Sequence, residues 1–388
     1  MGRRKNTKLA SERPKYPKKY SWWFSIIEKT VGRERLSYNE VMMATTKILK
    51  MIEKKDDAVP VLMASFFGSL TAKGPTIDEF AAMNSAMEAT KKVRLNLFLK
   101  KPVVAAGGTG GDTLKTINVT TPAVLLASSS GAFAVKSGAK AFSSKTGATD
   151  LAMIMGINVD AAPRIIKNCV ERIRTAVWDS GNVYPWMGPL VDLRNYPYAP
   201  IFFPVMGSLR LMIATSLNPF STKRQVRGIS TPQTELIADV FSRIGYEKAL
   251  VPLGYGENES IRIDEFSTLG KTIVSELFLN GKVETYSVSP EDLGAKKGNA
   301  KEIISRDTHL ENAKLVLNVL SGKDRSSRKD LIIVNAAAIL YLGDVAASFK
   351  EGYEIASNSI ENGEAIKKVE ELVKCSHGNL KSFRNLLN

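Results

Sequence analysis

Gly108-Thr-Gly-Gly-Asp-Thr-Leu-Lys-Thr-Ile-Asn-Val-Thr-Thr121 follows directly on the apolar run Pro102-Val-Val-Ala-Ala106. The stretch packs three glycines, five threonines, Asp112 and Asn118 into one turn. A strand that runs into a glycine-rich turn and then a helix start lets backbone N–H groups converge on a phosphate. Missing Cβ atoms admit the anion, and the helix N-terminus adds a partial positive charge. No Gly-Lys-Ser/Thr follows, so this is not a Walker loop, and the glycines lie too close together for a dinucleotide fingerprint. An ordinary glycine turn would need neither the hydroxyls nor Asp112 and Asn118. Their density points to a site for a phosphorylated sugar.

Outward from this turn the chain changes character. Upstream, Trp22 to Thr90 reads as helical. Ser37 with Glu40 forms a capping-box signature ahead of Met42, Met43, Thr46, Ile48, Leu49 and Ile52 at helical spacing. Val59 to Leu70 is a second apolar helix, ended by Lys73-Gly74-Pro75, and Thr76 with Glu79 opens a third. Downstream, short β-rich runs (Val103–Ala106, Phe133–Val135, Arg210–Ala214, Ala249–Leu253) alternate with helices. The helices are expected near Pro122–Ser129, Asp150–Met155, Ala162–Arg174 and Pro232–Gly245. Alternation of this kind implies an α/β class with a largely parallel sheet flanked by helices. Two late helices, Leu310–Leu320 and Asp330–Leu342, follow the Lys296–Asn299 loop. The expected division is a basic arm over 1–20, a small all-helical domain over 21–98 that helices near 175–200 join, and an α/β domain over 99–388.

Composition narrows the function. At 388 residues, with 44% hydrophobic and 24% charged side chains, the chain is an ordinary globular protein with room for a sizeable core. Two cysteines, Cys169 and Cys375, are too few for a disulfide framework and suit a reducing cytoplasm. No apolar run is long enough to span a membrane. The only histidines, His309 and His377, fall outside every motif, so a His-dependent triad or a multi-histidine metal site is excluded. Of the net charge of +15, residues 1–19 carry +7, with eight basic side chains against Glu12. Such an arm can meet nucleic acid by counterion release, or serve as a solubilising or subunit-clasping tail. A basic cleft also suits a phosphate-rich substrate.

Gly108–Thr121, then Lys136-Ser-Gly138 and Ser143-Ser-Lys-Thr-Gly-Ala-Thr-Asp150, resembles the anthranilate phosphoribosyltransferase family. The family pattern runs GTGGD, T-x-N-x-S-T, K-H-G-N and S-S-K-S-G-S-A-D. The likeness extends through Lys73–Phe80, Asn218-Pro219, Asp264-Glu265 and Ser289–Gly294, so it covers about residues 36 to 370. It implies a magnesium-dependent enzyme that transfers the phosphoribosyl group of phosphoribosyl diphosphate (PRPP) to an aromatic acceptor. It also implies a homodimer through the N-terminal helices. PRPP then falls to Gly108, Thr109, Gly110, Gly111, Asp112, Thr116, Asn118, Thr120, Thr121, Lys136, Ser143, Ser144 and Lys145. The metal falls to Thr120, Asp264 and Glu265, Thr120 standing where most relatives have Ser. No side chain is implied as a nucleophile. Oxygen donors of this type suit magnesium, and donors around the leaving diphosphate matter more than a protein nucleophile. The Gly254–Ile263 loop before the carboxylates is longer and more acidic than the family's.

The acceptor side departs from the pattern. Lys-His-Gly-Asn becomes Lys136-Ser137-Gly138-Ala139, which loses a histidine and an amide. The interval Tyr184–Pro219 is rewritten with prolines and aromatics, and its family histidine is missing in either alignment register. Arg194 and Arg210 are the imperfect counterparts of the arginine that meets the anthranilate carboxylate. Ser137, Gly138, Ala139, Arg194 and Arg210 are therefore the acceptor-side candidates. Three readings compete: a phosphoribosyltransferase with a different aromatic or heteroaromatic acceptor, a genuine anthranilate enzyme with moved contacts, and a nucleic-acid-binding protein on the same fold.

Overall fold

A computed structural model describes residues 20–140, 146–195, 197–199, 209, 211 and 218–387. The helical part opens with α1 (Ser21–Val31), α2 (Tyr38–Glu53), α3 (Val59–Lys73) and α4 (Ile77–Ala89). Both expected capping boxes form. Glu40 N–H donates to Ser37 and Glu79 N–H donates to Thr76, while each glutamate reaches back to its cap's N–H. Buried Glu79 does more than cap. Its carboxylate accepts from Lys73 Nζ at 2.6 and 2.7 Å and from Leu36 N–H at 3.1 Å. One side chain thus ties α3, α4 and the α1–α2 connection together.

The sheet begins at β1 (Val103–Gly108), followed by α5 (Thr120–Ser129), β2 (Phe133–Gly138), α6 (Ala148–Ile154), α7 (Pro163–Ile173) and β3 (Thr175–Asp179). Then come α8 (Met187–Asp192), β4 (Arg224–Gly228), α9 (Thr234–Arg243), β5 (Lys248–Tyr255) and β6 (Arg262–Ile263). The hairpin β7 (Thr272–Leu277) and β8 (Val283–Val288) closes the sheet. The chain ends in α10 (Ala300–Ile303), α11 (His309–Leu320), α12 (Ser327–Leu342), α13 (Phe349–Glu361), α14 (Glu364–Cys375) and α15 (Leu380–Leu387). Strand order is β3-β2-β1-β4-β5-β7-β8, with β6 on β5. The first five strands are parallel, and β6, β7 and β8 add antiparallel pairs. The protein is an α/β fold with an N-terminal helical region and a mixed sheet flanked by helices.

The expected runs at Val103, Phe133 and Ala249 are strands. Arg210–Ala214 lies outside the described residues except Leu211, which is helical. The sequence does not announce β3, β4, β6, β7 and β8. Thr175-Ala-Val-Trp-Asp179 is only five residues long and hides behind a helix, and Arg224-Gln-Val-Arg-Gly228 carries two arginines that look like surface.

Helices α5 and α12 pack on one another beside the strands, and α9 joins the sheet to α4. Helix α8 lies on α2. The two parts also meet through Trp186 Nε1, which donates to Thr90 Oγ1 at 2.8 Å, and Tyr184 OH, which donates to Glu88 at 3.3 Å. Among the described residues no helix is long and apolar enough to cross a membrane. The carboxyl ends of the adjacent parallel strands β2, β1 and β4 lie side by side, where α/β sheets place their ligands.

Candidate active site

The glycines of the turn are dictated by close approach. A Cβ on Gly108 would stand 2.1 Å from Asp264 Oδ2, and one on Gly228 would stand 1.4 Å from the Asp264 carbonyl oxygen. Asp264 can reach the strand ends only because both positions lack side chains. Gly110 and Gly111 adopt φ of 72° and 88°, a left-handed conformation that favours glycine. The turn this creates aims the Gly110 N–H at Asp264 Oδ2, 2.5 Å away, while Asp264 N–H donates to Asp112 Oδ1 at 2.8 Å. Ser230 Oγ donates to the Gly110 carbonyl at 3.0 Å, and Thr109 N–H to the Gly228 carbonyl at 3.0 Å.

Asp112, Asp264 and Glu265 bring one carboxylate oxygen each within 4.8 Å of one another. Burial, and then the charge of Asp264, push the Asp112 and Glu265 carboxyls well above the usual carboxylate range. Glu265 Oε2 is buried with no partner, while Oε1 accepts from Thr120 Oγ1 at 3.3 Å. Three crowded acidic groups with an orphaned oxygen and an adjacent hydroxyl fit a hard divalent cation, which would remove their mutual repulsion. Asp112 was assigned to PRPP in the sequence reading. The turn's geometry places it among the carboxylates as well.

The longer loop before Asp264 does not displace it. Gly254 and Tyr255 pair with Ile263 and Arg262, so the extra residues form a hairpin tip. Thr113 clamps that hairpin, accepting from Arg262 N–H at 2.8 Å and donating its own N–H to the Arg262 carbonyl at 3.1 Å.

The tail of the turn is held from the other side. Thr116 bridges to Ile304, and Ile117 N–H donates to the Ile303 carbonyl at 2.9 Å. Asn118 is turned towards the protein, its Nδ2 donating to the Thr146 carbonyl at 2.8 Å. Thr146 is anchored in turn by His309 Nδ1 at 2.9 Å and Asn312 Nδ2 at 3.1 Å. His309 is thus a satisfied positioning histidine, which no motif marked. Thr120 and Thr121 open α5, and Thr121 Oγ1 is buried without a partner.

Lys136, in β2, is buried and among the described residues donates only to the neighbouring Ser137 carbonyl at 2.6 Å. Burial, followed by the Arg227 charge, lowers its ammonium to about 8. Ser137 Oγ is buried without a partner. Gly138 is forced, since a Cβ there would lie 2.8 Å from Thr149 Oγ1, and the Ala139 carbonyl accepts from Thr149 N–H at 3.2 Å. Ser143, Ser144, Lys145, Arg210 and the Arg194 side chain lie outside the described residues. Arg227 was missed: it is buried at the end of β4, and a Cβ on Gly107 would stand 2.8 Å from its Nη1 and 3.5 Å from Lys136 Nζ.

A glycine-rich turn, a helix N-terminus, a buried lysine and a carboxylate cluster therefore meet at the carboxyl ends of the parallel strands. The family model described as "Glycosyl transferase family, a/b domain" matches residues 100–366. An anthranilate phosphoribosyltransferase of Thermoanaerobacter sp. is 31% identical over 349 residues, covering 90% of this chain and 97% of the relative. The chain belongs to the anthranilate phosphoribosyltransferase family. It is a pentosyltransferase of the phosphoribosyl-transferring kind. The enzyme of the same name from Methanococcoides burtonii is 30% identical, over 91% of this chain and 94% of its own. The crystal structure of the Thermus thermophilus anthranilate phosphoribosyltransferase superposes with a TM-score of 0.75 at 25% identity, covering 91% of this chain and 99% of that one. The Saccharomyces cerevisiae enzyme in complex with PRPP and Mg shares the fold, with a TM-score of 0.76 at 22% identity over 91% and 97% of the two chains.

Proposed function

We propose that this family member uses magnesium and PRPP to place a phosphoribosyl group on an aromatic or heteroaromatic acceptor, releasing diphosphate, at an acceptor site changed from that of its relatives. The observation that carries the reading is the convergence of the Gly108–Thr121 turn, Lys136 and the Asp112–Asp264–Glu265 cluster at the ends of β1, β2 and β6. Breaking the anomeric bond builds negative charge on the diphosphate. Amides of Gly110 and Gly111, the α5 N-terminus and Lys136 are fixed donors for that charge, and fixed donors need no reorganisation as it develops. Asp264, Glu265 and Thr120, with Asp112 beside them, would hold magnesium, which when bound would neutralise charge on the diphosphate. No protein nucleophile is required, because the acceptor's own nitrogen attacks.

Ser137 and Ala139, standing where the family pattern has His and Asn, support a changed acceptor site. The 31% identity to anthranilate enzymes favours the second reading, in which anthranilate is still used. Incubation with PRPP, magnesium and pooled aromatic acceptors, with diphosphate release followed, tests transfer. A separate anthranilate arm decides the acceptor: a specificity constant within the ordinary enzyme range of about 10⁴–10⁸ M⁻¹s⁻¹ would establish the second reading. Deleting residues 1–19 should leave transfer intact. If the arm binds nucleic acid, deletion should also flatten the salt dependence of single-stranded DNA binding.

A further inference from the structure

Among the described residues Arg227 leaves most of its donors unused. It is 7% exposed, its Nε has no partner, and its Nη1 makes only a long 3.4 Å bond to the Gly108 carbonyl. Among the described residues it forms no ion pair. Burial lowers its guanidinium to about 10, and Lys136 stands beside it, also without an ion pair among the described residues. Asp264 attracts both cations and Glu265 attracts Lys136, but among the described residues no carboxylate hydrogen-bonds to either, and a buried cation short of hydrogen bonds is costly. Such a pair calls for an anion from outside.

Strand register indicates which face waits for it. Parallel partners share a face, so Arg227 lies beside Gly107 and Ser137 beside Trp178. Carrying the β1–β2 register two residues further sets Ser137 next to Gly107. Across four strands the row reads Trp178, Ser137, Gly107, Arg227. Trp178 Nε1 and Ser137 Oγ are, like Arg227 Nε, buried donors without acceptors. The ring of Phe220 stands edge-on to Trp178, with centroids 5.6 Å apart. This row therefore combines an aromatic wall, three unused donors and a bare glycine. Ser137 holds the position where the family pattern has its acceptor-side histidine. The diphosphate already has donors in the Gly108–Thr121 turn.

Building on the phosphoribosyl-transfer reading, we propose that Arg227 is the anion anchor of the acceptor site. The chain then takes aromatic or heteroaromatic acids whose carboxylate lies against the Arg227 guanidinium and the Ser137 hydroxyl. A planar guanidinium suits a carboxylate by two parallel bonds, and it reaches the acceptor here from the sheet.

Calorimetry with matched pairs, nicotinate against nicotinamide and orotate against uracil, tests this. At least one acid should bind the wild type roughly tenfold or more tighter than its neutral partner, a difference of about 1.4 kcal/mol. Arg227→Gln should erase that preference, leave PRPP affinity unchanged, and not lower the melting temperature, because it removes an unpaired buried charge. Arg227→Lys keeps the charge without the fork and should weaken acid binding while the protein stays folded. Equal binding of acids and neutral partners, no binding of either acid, or unchanged acid binding in Arg227→Lys overturns the proposal. Weakened PRPP binding in Arg227→Gln also overturns it and assigns the anion to a PRPP phosphate. A lowered melting temperature in Arg227→Gln would mark the arginine as structural. Failure of the wild type to bind PRPP with magnesium is a separate result, and it overturns the transfer reading itself.

Discussion

Asp264 reaches the ends of β1 and β4 only over bare glycine backbone, so single atoms decide whether the site exists. Gly108 shows no positive φ, and its replacement tests packing without backbone strain. Gly108→Ala would put a Cβ where Asp264 Oδ2 now lies. Magnesium affinity should fall by about 10- to 100-fold, as for loss of a group that orients a metal ligand. Unchanged affinity by calorimetry would show that Asp264 is not a ligand. Glu265→Gln probes the charge itself. The Glu265 carboxyl titrates well above its unfolded value because of burial and then Asp264. The folded state therefore binds more protons than the unfolded state over that interval. Stability falls as pH rises through it and returns on acidification. In metal-free buffer at neutral pH, Glu265→Gln should melt above the wild type, and the gap should close near about pH 4, where the unfolded glutamate itself protonates. Magnesium should raise the wild-type melting temperature only, and transfer should drop roughly 100- to 1000-fold in the variant. A variant that melts below the wild type without metal would make Glu265 a structural group.

At the scale of elements, the helices were the legible part. Ser37 with Glu40 and Thr76 with Glu79 are three-residue signatures that depend on local chain alone, and both capping boxes form. The strands were legible only where apolar residues run together, as at Val103 and Ala249. Arg224 hid β4 because its charge is absorbed by the Leu342 carbonyl and by Asp344, a partner 120 residues away. In the site, the glycine turn stands out by residue type, whereas Asp264-Glu265 reads alone as a solvated turn and is singled out only by the family resemblance. The unpaired state of Arg227 was not readable, because absence of a partner is a property of the folded neighbourhood. Glu79 shows the same limit. Its cap role is local, but its bonds to Lys73 and Leu36 come from packing. Removing one partner from a buried ion pair strands the other, so Glu79→Ala should cost about 3–5 kcal/mol in denaturant unfolding. The cap alone accounts for about 1 kcal/mol, and a loss no larger than that would mean Lys73 finds water instead.

For the whole molecule, burial is uneven. Large apolar side chains stand in water in both parts, Met153, Leu279 and Leu310 in the sheet domain among them, and the helical region carries several on neighbouring helices. Val31 on α1 and Val61 on α3 are each 68% exposed, and Met43 on α2 is 45% exposed. These three helices pack on one another, so the exposed side chains belong to one body. Apolar surface gathered on one part of a molecule marks a place of association. We expect a second copy of the chain as the occupant, since the commonest soluble assemblies are two-fold dimers that use the same patch on both copies. Light scattering on the eluting protein should give a dimer, and Val61→Glu should shift it to monomer with an unchanged far-ultraviolet spectrum. Val61 lies far along the chain from every site residue, so the monomer should still bind PRPP. A monomeric wild type would overturn the interface. A Val61→Glu protein that stays dimeric would move the interface away from α3.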